Sequence, residues 1–302
     1  MAVFEENLPV RLACHPRSAA KDVLEADAYC NAVLRNGFSM LRIAFAFSAA
    51  LAMFACFNPE AHAAQCGSSS AGFAAWKQEF AGEAQAKGIS AATIQALMAT
   101  NYAQATINAD RGQRSFNLSL DQFLAKRGAT TIVAKGRQLK ASQGALFASI
   151  NERYGVPAGP LLAIWGMETG FGSQRGNQNM LASIATLAYD CRRSAYFTEH
   201  LYAALQLIDR GALSASQRGS MHGEVGQTQF MPKAILAYGT GNLENAANAL
   251  TSTANFLKAH GWRAGAGYQP GEPNFAAIQA WNAAGVYQKA IALMGRQIDG
   301  GE

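Results

Sequence analysis

Apolar residues recur at three- and four-residue spacing along this chain, and segment after segment is stopped by Gly or Pro. Phe73, Trp76 and Phe80 form the first such face, closed near Gly88. Ser90 is placed to cap a second helix carrying Ile94, Leu97 and Met98. Phe147, Ile150 and Tyr154 mark another, broken by "GVPAGP", and Pro160 suits the first turn of a helix running into Glu168. Leu181, Ile184 and Leu187 lie on the next face, and Phe197, Leu201, Leu205 and Ile208 on one ending at Gly211. A short helix is expected from Pro232, one with Leu250, Ala254 and Leu257 up to Gly261, and a final helix from Asn274. Residues 101–143 are polar and mixed, with weaker helical signals around 118–126. Nowhere do apolar and polar residues alternate with period two between turn dipeptides, so the fold is expected to be mainly α.

The 302 residues are half hydrophobic and 15% charged, enough apolar material for a core and incompatible with intrinsic disorder. The formal charge of +5 suits an anionic polymer without selecting one. There is no dense Lys/Arg run, so nucleic acid is not an expected partner.

Residues 40–63 read as a cleaved export signal, with Arg42 ahead of an apolar run from Ile43 to Phe57 and Ala61-His62-Ala63 at the cleavage site. The run is shorter than the ~20 residues a membrane-spanning helix needs, so a periplasmic protein without a stable membrane span is expected. Residues 1–39 then read as a mis-annotated upstream extension, with Met40 the physiological start. Lipid anchoring at Cys56 is not expected, because "MFAC" matches a lipidation site poorly. Residues 64–72 read as a Gly/Ser linker ahead of a domain over 73–298. Cleavage leaves two cysteines, Cys66 and Cys191, which either pair in an oxidising compartment or stay as thiols.

At about 100° per residue, Leu161, Ile164, Trp165 and Glu168 fall on one helix stripe. Glu168 is thereby expected on a buried face at the negative end of its helix. Both surroundings disfavour an ionised carboxylate, which is what a general acid requires. Gly170 and Gly172 follow and would let a bulky substrate approach. A boundary glutamate reaching water, or pairing with Arg192 or Arg193, fits the same spacing.

Other chemistries have less support. The five histidines form no pair at metal-ligand spacing, and there is no C-x-x-C. "GFGSQRG" follows a helix, not a strand, so it lacks the setting of a dinucleotide fingerprint. No nucleophile-elbow sequence is present.

Four stretches, "IWGMETGFG", "ATLAYDCRRSAYF", "GSMHGEVGQTQFMP" and "FLKAHGW", occur in an order that resembles the lytic murein transglycosylases of the membrane-bound B type. The resemblance spans roughly Phe73 to Ile298. It implies a lysozyme-like catalytic core with additional N-terminal and intervening helices. It also implies action on peptidoglycan, cut without water between N-acetylmuramic acid and N-acetylglucosamine to leave a 1,6-anhydromuramyl end. Glu168 matches the catalytic glutamate, acid first and base second. Ser220 and Gln229 match residues lining the cleft, and Arg192 and Arg193 match an arginine pair suited to murein carboxylates. In the last helix Trp281 and Asn282 occupy the place of a Tyr-Asn pair in that family, and Tyr287 that of a later tyrosine. Asn282 would orient Glu168, Trp281 would stack on a sugar, and Tyr287 would donate to Glu168 or substrate. The implied partners are glycan strands and other cell-wall enzymes, with no cofactor.

The chain departs from that pattern twice. "AYGTGNLENAANAL" stands where the B type carries an Asp-rich calcium loop, so no metal is expected. Glu224 stands where a small residue is usual. A cleft-facing Glu224 would bring a second carboxylate and make hydrolysis by a muramidase conceivable; a solvent-facing one would not. A non-catalytic peptidoglycan-binding scaffold is the remaining alternative.

Overall fold

The computed structural model describes residues 64–112 and 118–301. The expected export signal and upstream extension lie outside them, as does Cys56. Among the described residues no helix is long and apolar enough to cross a membrane.

The described chain opens with α1 (Phe73–Ala86), α2 (Ala91–Met98) and α3 (Gln104–Arg111). Then come α4 (Leu120–Arg127), α5 (Ala129–Ser142), α6 (Gly144–Tyr154) and α7 (Ala158–Thr169). The helices α8 (Met180–Tyr189) and α9 (Ser194–Asp209) pack together. The chain ends with α10 (Pro232–Tyr238), α11 (Ala246–Ala259), α12 (Phe275–Trp281) and α13 (Gly285–Asp299). Two short strands, β1 (Gln178–Asn179) and β2 (Arg218–Gly219), pair antiparallel with Gln178 opposite Gly219. Two residues are too few to show an alternating pattern, so this ribbon leaves no period-two signal.

The centre of the domain is α7, packed along α13, α5 and α11. Small residues set its closest crossing, since a Cβ on Gly159 would stand 2.2 Å from the Gly295 carbonyl oxygen. Of its twelve residues, eleven are buried. The expected single apolar stripe is therefore wrong in kind: α7 is a core helix covered on all sides, and Glu168 is its one partly exposed residue.

Three other expectations change. The stretch 64–72 does not behave as a loose linker. Ala64 N–H donates to Glu83, Gly67 bridges Asp190 through backbone bonds, and Ser70–Gly72 form a 3-10 turn. Among its described residues the polar stretch 101–143 holds three helices. Their buried faces are narrow, only Ile132, Val133 and Gly136 in α5, which explains the weak periodicity. The final helix is two, broken at Asn282, whose backbone is extended (φ −150°, ψ 130°). Its side-chain oxygen accepts the Ala284 N–H at 2.9 Å, and its carbonyl accepts from Gln288 at 2.7 Å. This local turn competes with the helical hydrogen bonds.

Ser90 caps α2 by accepting the Thr93 N–H, and Asp209 at the end of α9 accepts from the Ser90 N–H and from the Ser90 and Thr93 hydroxyls. The Ser90 hydroxyl, then that of Thr93, holds the Asp209 carboxyl below its ordinary value. Its stabilising contribution is therefore present above the unfolded value near 4 and is lost as pH falls through the lower folded one. Asp209→Asn should cost about 0.5–1 kcal/mol at neutral pH, as an exposed charged cap does, and progressively less as the pH falls through the lowered folded value. Urea melts at neutral and acid pH check this.

Candidate active site

The Glu168 carboxylate meets two aromatic donors. The Tyr287 hydroxyl donates to Oε1 at 2.6 Å and the Trp281 ring N–H to the same oxygen at 3.3 Å. Tyr287 comes from α13 and Trp281 from the end of α12, so the break at Asn282 sets both donors on one atom. Tyr287 is buried, and burial, with the negative Glu168 beside it, pushes its hydroxyl well above its ordinary value. It therefore remains a donor throughout the physiological range. Trp281 is 2% exposed, with its ring edge-to-face against Phe230 and Phe256. It does not stack on a sugar in this arrangement; it holds Glu168. A hydrogen bond to a charged acceptor contributes about 1.5–3 kcal/mol. Tyr287→Phe should thus lower any turnover that depends on Glu168 about 10- to 100-fold with folding intact, measured by steady-state kinetics beside a thermal melt.

The loop after α7 is clipped to the "GSMHGEVGQTQFMP" loop by Gln227. Trp165 Nε1 donates to Gln227 Oε1 at 2.9 Å, and the Thr169 hydroxyl donates to the Gln227 carbonyl at 2.6 Å. Gly172 N–H donates to the Thr169 hydroxyl at 2.9 Å. A Cβ on Gly172 would lie 2.1 Å from Gln227 Oε1, and φ there is 87°. Gly172 therefore makes room for this clip and not for a substrate. Thr169 and Gln227 were not singled out from the sequence; each is a polar residue whose buried role shows only once the two loops meet.

Ser220 is partly exposed. Its hydroxyl donates to Glu224 Oε2 at 2.6 Å, while its oxygen accepts the N–H groups of His222 and Glu224 at 3.1 and 3.2 Å. Glu224 is 1% exposed, so the solvent-facing alternative for it does not hold. Burial first, and then the negative charge of Glu168, push its carboxyl up, against the opposing Ser220 bond. Gln229 sits at φ 55°, buried, and its amide donates to the Gly226 carbonyl at 2.9 Å and more weakly to that of Arg175. Asn282 is buried and acts as the turn residue between α12 and α13.

Arg192 and Arg193 both pair with Asp110, whose side chain is 3% exposed, and Arg111 pairs with Asp190 at 2.9 Å. The pairing of Glu168 with either arginine is replaced by this cluster. His222 Nε2 lies 3.5 Å from Asp110, and burial holds its imidazole below the ordinary histidine range. Cys66 and Cys191 are joined in a disulfide next to the arginines. In the stretch after α10, Glu244 accepts from Arg175 at 2.5 Å and from Gln217 at 2.9 Å. The Asn242 and Asn245 side chains cap backbone N–H groups there. Its one carboxylate is thus neutralised by a guanidinium, and this donor set does not fit a calcium ion.

A family model described as "Transglycosylase SLT domain" matches residues 72–272, the stretch that carries Glu168, the Ser220–Glu224 pair and the arginine cluster. The chain belongs to this transglycosylase family. It is 36% identical over 137 residues to membrane-bound lytic murein transglycosylase B of Escherichia coli strain K12, over 40% of this chain and 38% of that protein. The match thus spans well under half the length of that relative. Among solved structures, SltB3 from Pseudomonas aeruginosa in complex with NAG-anhNAM-pentapeptide superposes with a TM-score of 0.70 at 28% identity, over 76% of this chain and 80% of that one. The Escherichia coli lytic transglycosylase Slt35 in complex with bulgecin A gives 0.66 at 22% identity, over 78% and 96%. The expected lysozyme-like, mainly α fold is the fold of this transglycosylase domain.

Proposed function

We propose that this chain is a peptidoglycan lytic transglycosylase that cleaves the N-acetylmuramic acid to N-acetylglucosamine bond and leaves 1,6-anhydromuramyl ends. The observation that carries the reading is a partly exposed glutamate at the end of a buried helix, its Oε1 accepting from two neutral donors within a domain of this family. Tyr287 and Trp281 both donate to Oε1, and in this reading the transferable proton is carried by Oε2. Glu168 gives that proton to the glycosidic oxygen as the bond to the anomeric carbon breaks. It then takes the proton of the muramyl C6 hydroxyl while that oxygen attacks the anomeric carbon. One carboxyl suffices, because the substrate supplies the nucleophile that a second carboxylate provides in most glycosidases.

Around it, Ser220 and Gln229 line the cleft. Arg192 and Arg193 meet murein carboxylates with the guanidinium surface left beyond Asp110, since their side chains remain 46% and 26% exposed. An exported, periplasmic enzyme is consistent with a disulfide, which persists in oxidising compartments. The curated relative's name says membrane-bound; for this chain we assign a cleaved and unanchored form, with Cys56 not lipidated. Its partners are glycan strands and, in the wall, other enzymes acting on them.

Hydrolysis is the second reading, favoured by the buried Glu224 within electrostatic reach of Glu168. Mass spectrometry of digested sacculi separates the two. Anhydromuramyl ends are expected, and reducing muramic acid ends would replace this reading with a muramidase. Tight binding to sacculi with no product of either kind would make the chain a scaffold.

A further inference from the structure

Behind Ser220 lies an acid that no solvent reaches. Glu224 is the only acidic side chain between β2 and α10, and its 2.6 Å contact with the Ser220 hydroxyl is the link from that buried acid to the partly exposed surface. A serine hydroxyl has one proton to donate and two acceptor positions. In Ser220 all three are in use, by Glu224 Oε2 and by the N–H groups of His222 and Glu224. Nothing is then left to offer a ligand while Glu224 is ionised.

We propose that Glu224 is a positioning residue that switches Ser220 between donating and withholding a hydrogen bond to the acetamido carbonyl of a bound sugar. Ionised, it takes the Ser220 proton. Carrying a proton of its own, it donates to the Ser220 oxygen in place of the longer contact from the Glu224 N–H, and the serine hydroxyl turns outward. The two states differ by one proton exchanged with solvent, and no covalent step is involved. The proposal rests on the peptidoglycan reading above for the identity of the ligand.

The groups facing this pair come from every neighbouring element. They are Glu168 on α7, Tyr287 on α13 and His222 in the same loop, with Asp110 on α3 and Arg192 and Arg193 before α9 behind the histidine. Burial favours the neutral acid, and negative Glu168 acts in the same direction. Neutral Glu224 therefore persists above the ordinary carboxylate range. Sugar affinity should be full below its folded value and should fall as pH rises through it.

The test uses the Glu168→Gln protein, which removes turnover and the neighbouring carboxylate together. Binding of β-1,4-linked N-acetylglucosamine tetramer is followed by calorimetry from about pH 4.5 to 9, spanning the range above an ordinary carboxylate. Affinity should fall about three- to tenfold across the range, the effect of one hydrogen bond. Adding Glu224→Gln, whose amide N–H can donate to Ser220 at any pH, should keep the acid-side affinity throughout. Adding Glu224→Ala should give weaker binding that no longer varies with pH. Thermal melts confirm that each variant folds. A pH-independent affinity with Glu224 present overturns the proposal, as does an unchanged pH profile in the Glu224→Gln protein. If the tetramer binds at no pH and sacculi yield no cleavage products from wild type, the peptidoglycan reading fails and this one falls with it. Binding with a flat profile defeats the switch alone.

Discussion

Glu168→Gln should reduce the release of anhydromuramyl products about 10³- to 10⁴-fold, the upper part of the range for losing a general acid–base group. Glutamine keeps the volume of the side chain and can still accept from Tyr287 and Trp281 through its amide oxygen. It cannot give a proton to a glycosidic oxygen or take one from a C6 hydroxyl, so both halves of the proposed reaction lose their carrier. Because Glu168 is the one partly exposed residue of α7, the core around it stays as it was. The unfolding midpoint should move little, and binding to sacculi should remain. Product release by mass spectrometry, alongside a thermal melt, makes the comparison. A variant retaining a tenth of wild-type turnover would remove Glu168 from the proton transfers and turn attention to Glu224.

How far the sequence reached follows from how local each signal was. The face of α1 and the Ser90 cap of α2 depend on residues within two turns, and both were legible. The break at Asn282 was not, because a side-chain bond to Ala284 and a return bond from Gln288 decide it against helical residues on either side. Glu168 stood out through its place at the end of an apolar run. Its partners did not follow from spacing: α12 and α13 contribute them from more than a hundred residues away. For α7 the stripe argument singled out Glu168 through an incomplete picture, since a helix buried on all sides has no polar face to contrast with. Arg192 and Arg193 show the converse. Their charge was plain in the sequence, but Asp110, which takes up much of it, lies in the polar stretch where periodicity was weakest.

Replacing both Cys66 and Cys191 by serine should lower the unfolding free energy by about 2–4 kcal/mol, and by up to about 5 if chain entropy alone governs a closed loop of this length. The bridge spans 125 residues and ties the start of the described chain to the turn between α8 and α9. Backbone bonds run beside it, Gly67 N–H to the Tyr189 carbonyl at 2.9 Å and Cys191 N–H to the Gly67 carbonyl at 3.1 Å. These hold the strap once formed, but they do not restrict the unfolded chain, so the covalent link carries most of the effect. A loss of 3 kcal/mol in a domain of this size moves the midpoint by roughly 6–12 °C. Wild type treated with reductant should fall to the same midpoint as the double serine variant, and reductant should leave that variant unmoved. The strap also ends against the cluster in which Asp110 holds Arg192, Arg193 and His222, and His222 shares a loop with Ser220. Loosening it should therefore weaken sugar binding several-fold before unfolding begins, whereas turnover of bound substrate at Glu168, whose donors come from α12 and α13, should change little. Equal midpoints for oxidised wild type and the serine variant would mean that the packed contacts alone hold this edge of the domain.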